Sequence, residues 1–266
     1  MTVDEIVTVA RIAVSLGIAR IKLTGGEPLM RKDLCEIVKQ IAAIPGLKDL
    51  SMTTNGTMLG FQAQELRTCG LKRVNISLPT LNPDIYHKLT KGRIENALEG
   101  VKAAVAAGFN PVKLNMIILT GVNVEAVPEM MDFARQTGTI LQLIELDPVN
   151  VDDSYFSVYH KFLDDHEKML RQKAMKVETR RFMHNRRIYH LPDVTLEVVH
   201  PSENGEFCAH CTRLRVTSDG KLKTCLMRND NLVDMLTPMH QGASDKELKE
   251  LFVRANQLRE PYNKIK

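Results

Sequence analysis

The chain has 266 residues, 44% hydrophobic and 26% charged, a balance that excludes wholesale disorder and fits one or two folded domains. Lys plus Arg exceed Asp plus Glu by 36 to 32, which suits a polyanionic small molecule but lacks the dense basic patch of a nucleic-acid binder. No apolar run approaches the ~18 residues of a membrane span, and MTVDEIVTVARIAVSLG reads as an amphipathic helix rather than a signal peptide, so a cytoplasmic protein with no membrane partner is expected.

Apolar residues at three-and-four spacing predict helices over 3–17, 31–44, 61–70, 94–109 and 124–138. Between them, 18–24, 49–54, 73–78, 112–119 and 140–146 are short and rich in Ile, Leu and Val, as strands covered on both faces are. This alternation with right-handed crossovers predicts a parallel sheet, open or curled into a barrel. It opens on a helix, so the strand that should precede that helix is missing. After residue 150 the rhythm breaks. One more helix is expected over 157–174, a β-hairpin over 186–201, two strand-like runs around the turn Ser218–Asp219–Gly220, and a last helix over 244–260. That helix opens with a capping box, Ser244 and Glu247. The expected domains are 1–150 and 151–266, with a soft boundary over 150–175.

The five cysteines are unevenly placed: Cys35 and Cys69 stand alone in helical segments, while Cys208, Cys211 and Cys225 form C-x2-C-x13-C. A secreted disulfide framework would be denser and even in number, so a reduced compartment and a metal site are the better reading. Three thiolates suit an iron–sulfur cluster with one open iron, or zinc with a fourth ligand from elsewhere. His210 and His200 lie close by in sequence. Spacing alone leaves both metals open and favours zinc slightly.

Other segments carry chemistry with less specificity. TGGEP (24–28) ends the first strand, where paired glycines let a ligand approach the backbone and Glu27 can accept from an ammonium group, although such a turn is more often only a turn. Polar residues recur at strand ends: Lys22, Thr53 and Asn55, Asn75 and Ser77, Lys113 and Asn115, Gln142 and Glu145. A polar side chain facing an apolar core costs roughly 1–3 kcal/mol without partners, so a set on five strands predicts a ligand-filled interior. Arg213 and Arg215, alternate residues of RLR, point the same way on a strand and can clamp a phosphate, with an exposed basic edge equally compatible. RRFMHNRR (180–187) is read as a solvated strand or hairpin edge in preference to a ligand surface.

Together these segments resemble the molybdenum cofactor biosynthesis protein A family, radical S-adenosylmethionine enzymes known as GTP 3′,8-cyclase. The resemblance rests on KLTGGEPLMRKDL (22–34), TTNGTML (53–59), VNISLPTL (74–81), VKLN (112–115), LIELDP (143–148) and FCAHCTRLRVTSDGKLKTCL (207–226), in the family's order. It implies a partial (β/α) barrel of triose-phosphate-isomerase type, here lacking its first strand, closed by a C-terminal α+β iron–sulfur domain. It also implies two [4Fe–4S] clusters, one cleaving S-adenosylmethionine to a 5′-deoxyadenosyl radical, the other held by Cys208, Cys211 and Cys225 and presenting an open iron to GTP. The radical takes the ribose 3′ hydrogen, and C3′ then attacks C8 of the base. By motif position, Gly26 and Ser77 match S-adenosylmethionine contacts, and Lys22, Thr53, Lys113, Arg213 and Arg215 match GTP contacts. The resemblance thus moves the metal from zinc to iron–sulfur. It also places the activity before the cyclic pyranopterin monophosphate synthase, with GTP as partner, no nucleic acid, and homodimerisation left open.

The chain departs from the family at several points. The family's C-x3-C-x2-C motif is absent, Lys22 stands where bacterial members carry arginine, Asp147 where many carry methionine, Pro79 where an acidic residue is usual, and the terminal di-glycine is missing. The expectation is a chain truncated at both ends, or a variant that has lost the radical half and survives as a non-catalytic nucleotide- or metal-binding remnant. Zinc-stabilised nucleic-acid binding through 180–187 is a third, weaker reading, because it leaves the barrel unused.

Overall fold

Thr2 caps the first helix, α1 (Val3–Ser15), by accepting from the Glu5 amide while Glu5 accepts from the Thr2 amide. The computed structural model describes residues 1–149, 151–180, 183–201 and 204–262. After α1 come β1 (Arg20–Leu23), α2 (Leu34–Ala42), β2 (Asp49–Thr54), α3 (Leu59–Thr68) and β3 (Arg73–Ser77). Two helices, α4 (Pro83–Thr90) and α5 (Ile94–Ala106), precede β4 (Val112–Ile118), and α6 (Val127–Thr137) leads into β5 (Ile140–Glu145). The short α4 is an addition to the elements expected from periodicity, although Asn82 caps it by accepting from the Asp84 and Ile85 amides and Pro83 opens it.

The helix expected over 157–174 is two helices, α7 (Asp153–Tyr159) and α8 (Asp164–Lys173). His160 ends the first in an extended conformation, and its ring turns inward to Glu145 at 2.7 Å. The next strands are β6 (Lys176–Arg180), a further addition, β7 (Arg186–His190) and β8 (Thr195–Val199). All eight strands form one sheet in the order β1-β2-β3-β4-β5-β8-β7-β6. Neighbours from β1 to β5, and β5 with β8, are parallel, while β7 and β6 return antiparallel. The expected hairpin is therefore present, but its β8 strand also extends the parallel sheet beyond residue 150.

One face of these strands is apolar: Leu50, Met52, Val74, Ile76, Leu114, Met116, Leu141, Leu143, Leu196 and Val198 are buried. They share a core with helix residues such as Ile37, Val38, Ile41, Leu66, Ala97, Val101 and Met130. Because side chains alternate along a strand, this burial consigns the polar residues between them to the opposite face. The helix α5 comes very close to the turn after β2. A Cβ on Gly100 would lie 2.0 Å from the Gly56 carbonyl oxygen.

The C-terminal part comprises α9 (Gly205–Ala209), the short antiparallel strands β9 (Arg215–Val216), β10 (Lys221–Lys223) and β11 (Val233–Asp234), then α10 (Leu236–His240) and α11 (Asp245–Gln257). The Ser244–Glu247 capping box forms as expected. Leu222, Val233, Met235, Leu248, Phe252 and Ala255 make a second core with Val9, Ile12 and Ala13 of α1. Arg11 reinforces the contact through both oxygens of Asp245, and His240 meets Glu5 at 2.6 Å.

Cys35 and Cys69 correct the reading that they stand alone. They meet as a disulfide between α2 and the C-cap of α3, with Cα atoms 6.0 Å apart. Among the described residues, no helix is long and apolar enough to cross a membrane.

Candidate functional site

The strand register builds a polar chamber on the face opposite the main core. Lys22 pairs with Ser51 and Ser51 with Arg73; Thr53 pairs with Asn75 and Asn75 with Lys113. Ser77 pairs with Asn115, then Gln142, then Glu197. Cross-strand partners share a face, so these side chains stand in rows. Buried Asn75 donates through Nδ2 to Asn115 Oδ1 at 3.3 Å and to Gln142 Oε1 at 3.4 Å, knitting three strands together.

Charge dominates this face. Buried Lys113 forms an ion pair with Glu197, and Arg180 Nη1 approaches the same carboxylate oxygen at 3.4 Å. Burial works against the Glu197 carboxylate, but Lys113, then Arg180 and Arg186, outweigh it and hold its pKa below the ordinary value. Arg73 is bound to Asp49, Nε to Oδ1 at 2.8 Å. Lys22 is accessible from the chamber yet walled by protein. Desolvation, then repulsion from Arg213, Arg73, Lys113 and Arg186, lowers its pKa to about 7.

The second half of the site comes from the C-terminal part. Asn204 caps α9 by accepting from the Phe207 amide at 2.9 Å, and the Cys211 amide donates to the Cys208 carbonyl at 3.1 Å. Arg259 Nη1 donates to the Cys211 carbonyl at 3.2 Å and the Thr224 carbonyl at 3.4 Å, so one guanidinium ties the Cys208–Cys211 segment to the Cys225 segment. All three cysteines are half-buried and outside any disulfide. Among the described residues, no three His, Cys, Asp or Glu side chains are already drawn to metal-holding distance. The thiols nevertheless fit an iron–sulfur cluster by donor type and by the tying of their two segments. Burial, then Arg215, lowers the pKa of Arg213; burial also lowers that of Arg215, against the opposing pull of Cys211 and Cys225.

Several expectations need correction. Glu27 has a structural task whatever ligand it meets: it accepts from Thr54 Oγ1 at 2.6 Å, the Asn55 amide at 2.7 Å and the Leu29 amide at 3.1 Å, fastening the TGGEP turn to the end of β2. Gly26 is exposed, with no atom within 4 Å of where a Cβ would sit, which leaves its backbone open to a ligand. Glu145 does not share the chamber face with Gln142, because three residues along a strand reverses the side. It lies buried against His160 and, at 3.5 Å, His200. His200 also meets Glu167 at 3.4 Å, and these carboxylates outweigh burial to raise its pKa to about 9, so both its ring nitrogens face carboxylates. His210 faces the Glu206 carbonyl at 2.9 Å.

The 180–187 stretch is not a solvated edge. Arg180 reaches Glu197, His184 is buried and stacks on Phe207 at 3.9 Å, and burial, then Arg213, lowers the Arg186 pKa to about 9. Arg181 lies outside the described residues. Of the family departures, Pro79 has its carbonyl held by Asn123 Nδ2 at 2.9 Å. Asp147 accepts from the Val149 amide at 3.1 Å, and burial raises its pKa against the pull of Arg215. Sequence reasoning missed Glu197 and Asn123, and it noticed Arg180 and Arg186 but assigned them to a solvated edge. The lone Glu within VTLEVV was a usable signal for the first.

Residues 1–134 match the radical SAM superfamily and residues 139–265 match Molybdenum Cofactor Synthesis C. The chain is 43% identical to the probable GTP 3′,8-cyclase of Methanocaldococcus jannaschii, over 100% of this chain and 87% of that protein. It is 47% identical to the one from Thermococcus kodakarensis, over 98% of this chain and 86% of that protein. Among solved structures, Streptococcus suis SuiB bound to S-adenosylmethionine superposes with a TM-score of 0.65 at 16% identity, over 88% of this chain and 56% of that one, a likeness of fold. HydG, a maturase of the [FeFe]-hydrogenase, gives 0.52 at 15% identity over 64% of this chain and 42% of that one. With a radical SAM sheet, a molybdenum cofactor synthesis C-terminal region and close relatives along its whole length, the chain belongs to the GTP 3′,8-cyclase family of radical SAM proteins.

Proposed function

We propose that this protein is the GTP 3′,8-cyclase of molybdenum cofactor biosynthesis, which forms (8S)-3′,8-cyclo-7,8-dihydroguanosine 5′-triphosphate from GTP. The observation that carries the reading is one chamber lined by cations from both halves of the chain, Lys22 and Lys113 from the sheet and Arg213 and Arg215 from the cysteine region. Arg213 and Arg215 neutralise the triphosphate, Lys22 adds a charge from the β1 edge, and Thr53 offers a hydroxyl. Lys113 exchanges Glu197 for substrate oxygen. Gly26 and Ser77 bind S-adenosylmethionine at the strand ends, where the bare Gly26 backbone admits close approach. Cys208, Cys211 and Cys225 hold a [4Fe–4S] cluster. When bound, the family's iron–sulfur and S-adenosylmethionine groups supply the one-electron chemistry that removes the ribose 3′ hydrogen.

The family's C-x3-C-x2-C motif is not within these 266 residues, so the decisive assays concern residues that are present. After anaerobic reconstitution, iron analysis is expected to find one cluster of about four irons, absent from a Cys208→Ser, Cys211→Ser, Cys225→Ser variant. GTP titration is expected to weaken roughly ten- to a hundredfold in Arg215→Ala, and nearly as much in Arg215→Lys if the contact is bidentate. A cluster retained without the three thiols, or stoichiometric zinc with no GTP binding, would overturn the reading.

A further inference from the structure

The hairpin formed by β6 and β7 carries two cations that the family motifs do not assign. Its turn places His184 and Asn185 at φ 63° and 51°, and the Arg186 amide donates to the Met183 carbonyl at 3.3 Å, the pattern of a type I′ turn. His184 stacks on Phe207, and its amide donates to the His210 carbonyl at 3.2 Å, so the turn is fastened to the cysteine-bearing helix α9. This anchor holds the start of β7 against the cysteine region. Register pairs Arg186 with Arg180 and Ile188 with Glu197, so both arginines stand on the chamber face with Glu197. Arg187 turns the other way, to Glu167 at 2.9 Å.

On that face Arg186 has a buried Nε with no hydrogen-bond partner, and Arg215 has a buried Nη1 in the same condition. The nearby carboxylate, Glu197, gives Oε1 to both Lys113 and Arg180, while its Oε2 is also buried without a hydrogen-bond partner, so it can offset at most part of this charge. With Arg73 paired to Asp49, six cations among the described residues (Lys22, Lys113, Arg180, Arg186, Arg213 and Arg215) face two described carboxylates, Glu197 and Asp147. Buried, uncompensated cations destabilise a fold, and such an arrangement is kept where a ligand of opposite charge completes it. A triphosphate brings several negative charges with oxygens directed to every side. We infer that Arg186, with Arg180 beside it, is a further phosphate-binding residue of the chamber, contributed by the β7 end of the sheet as Lys22 is by the β1 end. This rests on the GTP reading for the identity of the substrate, but the anion site stands on its own geometry.

The test is calorimetric titration of GTP and, separately, inorganic tripolyphosphate into the reconstituted chain, with thermal melts of each variant. Arg186→Gln is expected to weaken both ligands roughly ten- to a hundredfold, and Arg186→Lys less. Arg187→Gln removes the same charge from the outer face and is expected to stay near wild type. Arg186→Gln is also expected to melt no lower than wild type, since it deletes a buried cation lacking a partner. Unchanged affinity in Arg186→Gln, equal losses at Arg186 and Arg187, or a lower melting temperature with binding intact would each overturn the inference. If wild type binds GTP and Arg186→Gln binds it equally, the inference falls and the GTP reading stands. If wild type binds tripolyphosphate but not GTP, and Arg186→Gln loses it, the anion site stands and the GTP reading falls. Binding of neither ligand by wild type overturns both.

Discussion

At Lys22 the chamber's positive field acts on a group that can lose its proton near neutral pH, whereas an arginine in the same place would stay charged there. Desolvation, together with Arg213, Arg73, Lys113 and Arg186, lowers the ammonium pKa to about 7, while the chamber's water screens part of that repulsion. A bound triphosphate favours the charged form and raises the pKa again. Affinity should therefore be greatest below about pH 7 and fall by up to tenfold per pH unit above it, until the pKa of the bound state is reached. Stability of the ligand-free chain has the opposite sign. The unfolded lysine holds its proton to higher pH, so Lys22 makes the fold more stable as pH rises from about 7 toward the unfolded pKa. Titrations of GTP between about pH 6.5 and 8.5, paired with melts, should show these opposed slopes in wild type and neither slope in Lys22→Arg. A Lys22→Arg variant with the wild-type pH profile would assign the titration to another group. Lys22, Thr53 and Lys113 were legible because alternation along a strand can be read locally. Cys35 and Cys69 were not, because only the packing of α2 on α3 brings them together.

The same distinction governs whole elements. Strands β1 to β5 succeed one another in the sheet as they do in the chain, so their shared face could be read from residue parity alone. Beyond β5 the order becomes β8-β7-β6, and nothing local tells Glu197 that its neighbour is Gln142. That reversal hid Glu197 and the placement of Arg180 and Arg186. Reading Glu145 with Gln142 failed for a simpler reason, since an odd separation changes the face. Helix α5 supplies an element-scale test of the packing behind the chamber. Gly56 has φ of 79°, and its carbonyl oxygen occupies the place a Cβ on Gly100 would take, at 2.0 Å. Backbone cannot yield as a flexible side chain can, so Gly100→Ala must slide α5 off the turn after β2. A loss of about 3 kcal/mol or more is expected in denaturant titrations, with most chamber residues untouched in sequence. A neutral Gly100→Ala would show that α5 does not hold this close approach.

Across the molecule, the first helix and the last share one apolar core although they lie at opposite ends of the described chain. Phe252 on α11 is 4% exposed and packs in the cluster that includes Val9, Ile12 and Ala13 of α1. The regions matching the two family models are therefore joined twice, by the pairing of β4 with β5 and by this second core. The second joint positions the cysteine region, since β10 and β11 contribute Leu222 and Val233 to it, and β10 leads directly to Cys225. Phe252→Ala should remove about 3–5 kcal/mol, as truncation of a buried aromatic usually does. Because the lost contacts are shared, amide hydrogen exchange should quicken in residues 3–15 as well as in α11, and not in the strands at the far side of the sheet. Arg11→Ala removes only the bridge to Asp245, whose side chains are 47% and 53% exposed, so it should change stability by less than about 1 kcal/mol. GTP binding across the chamber should slow the exchange again in Phe252→Ala, since a ligand that binds the folded state stabilises it by mass action. If α11 loosens while α1 keeps its protection, the polar bridges hold the two ends together and the shared core does not.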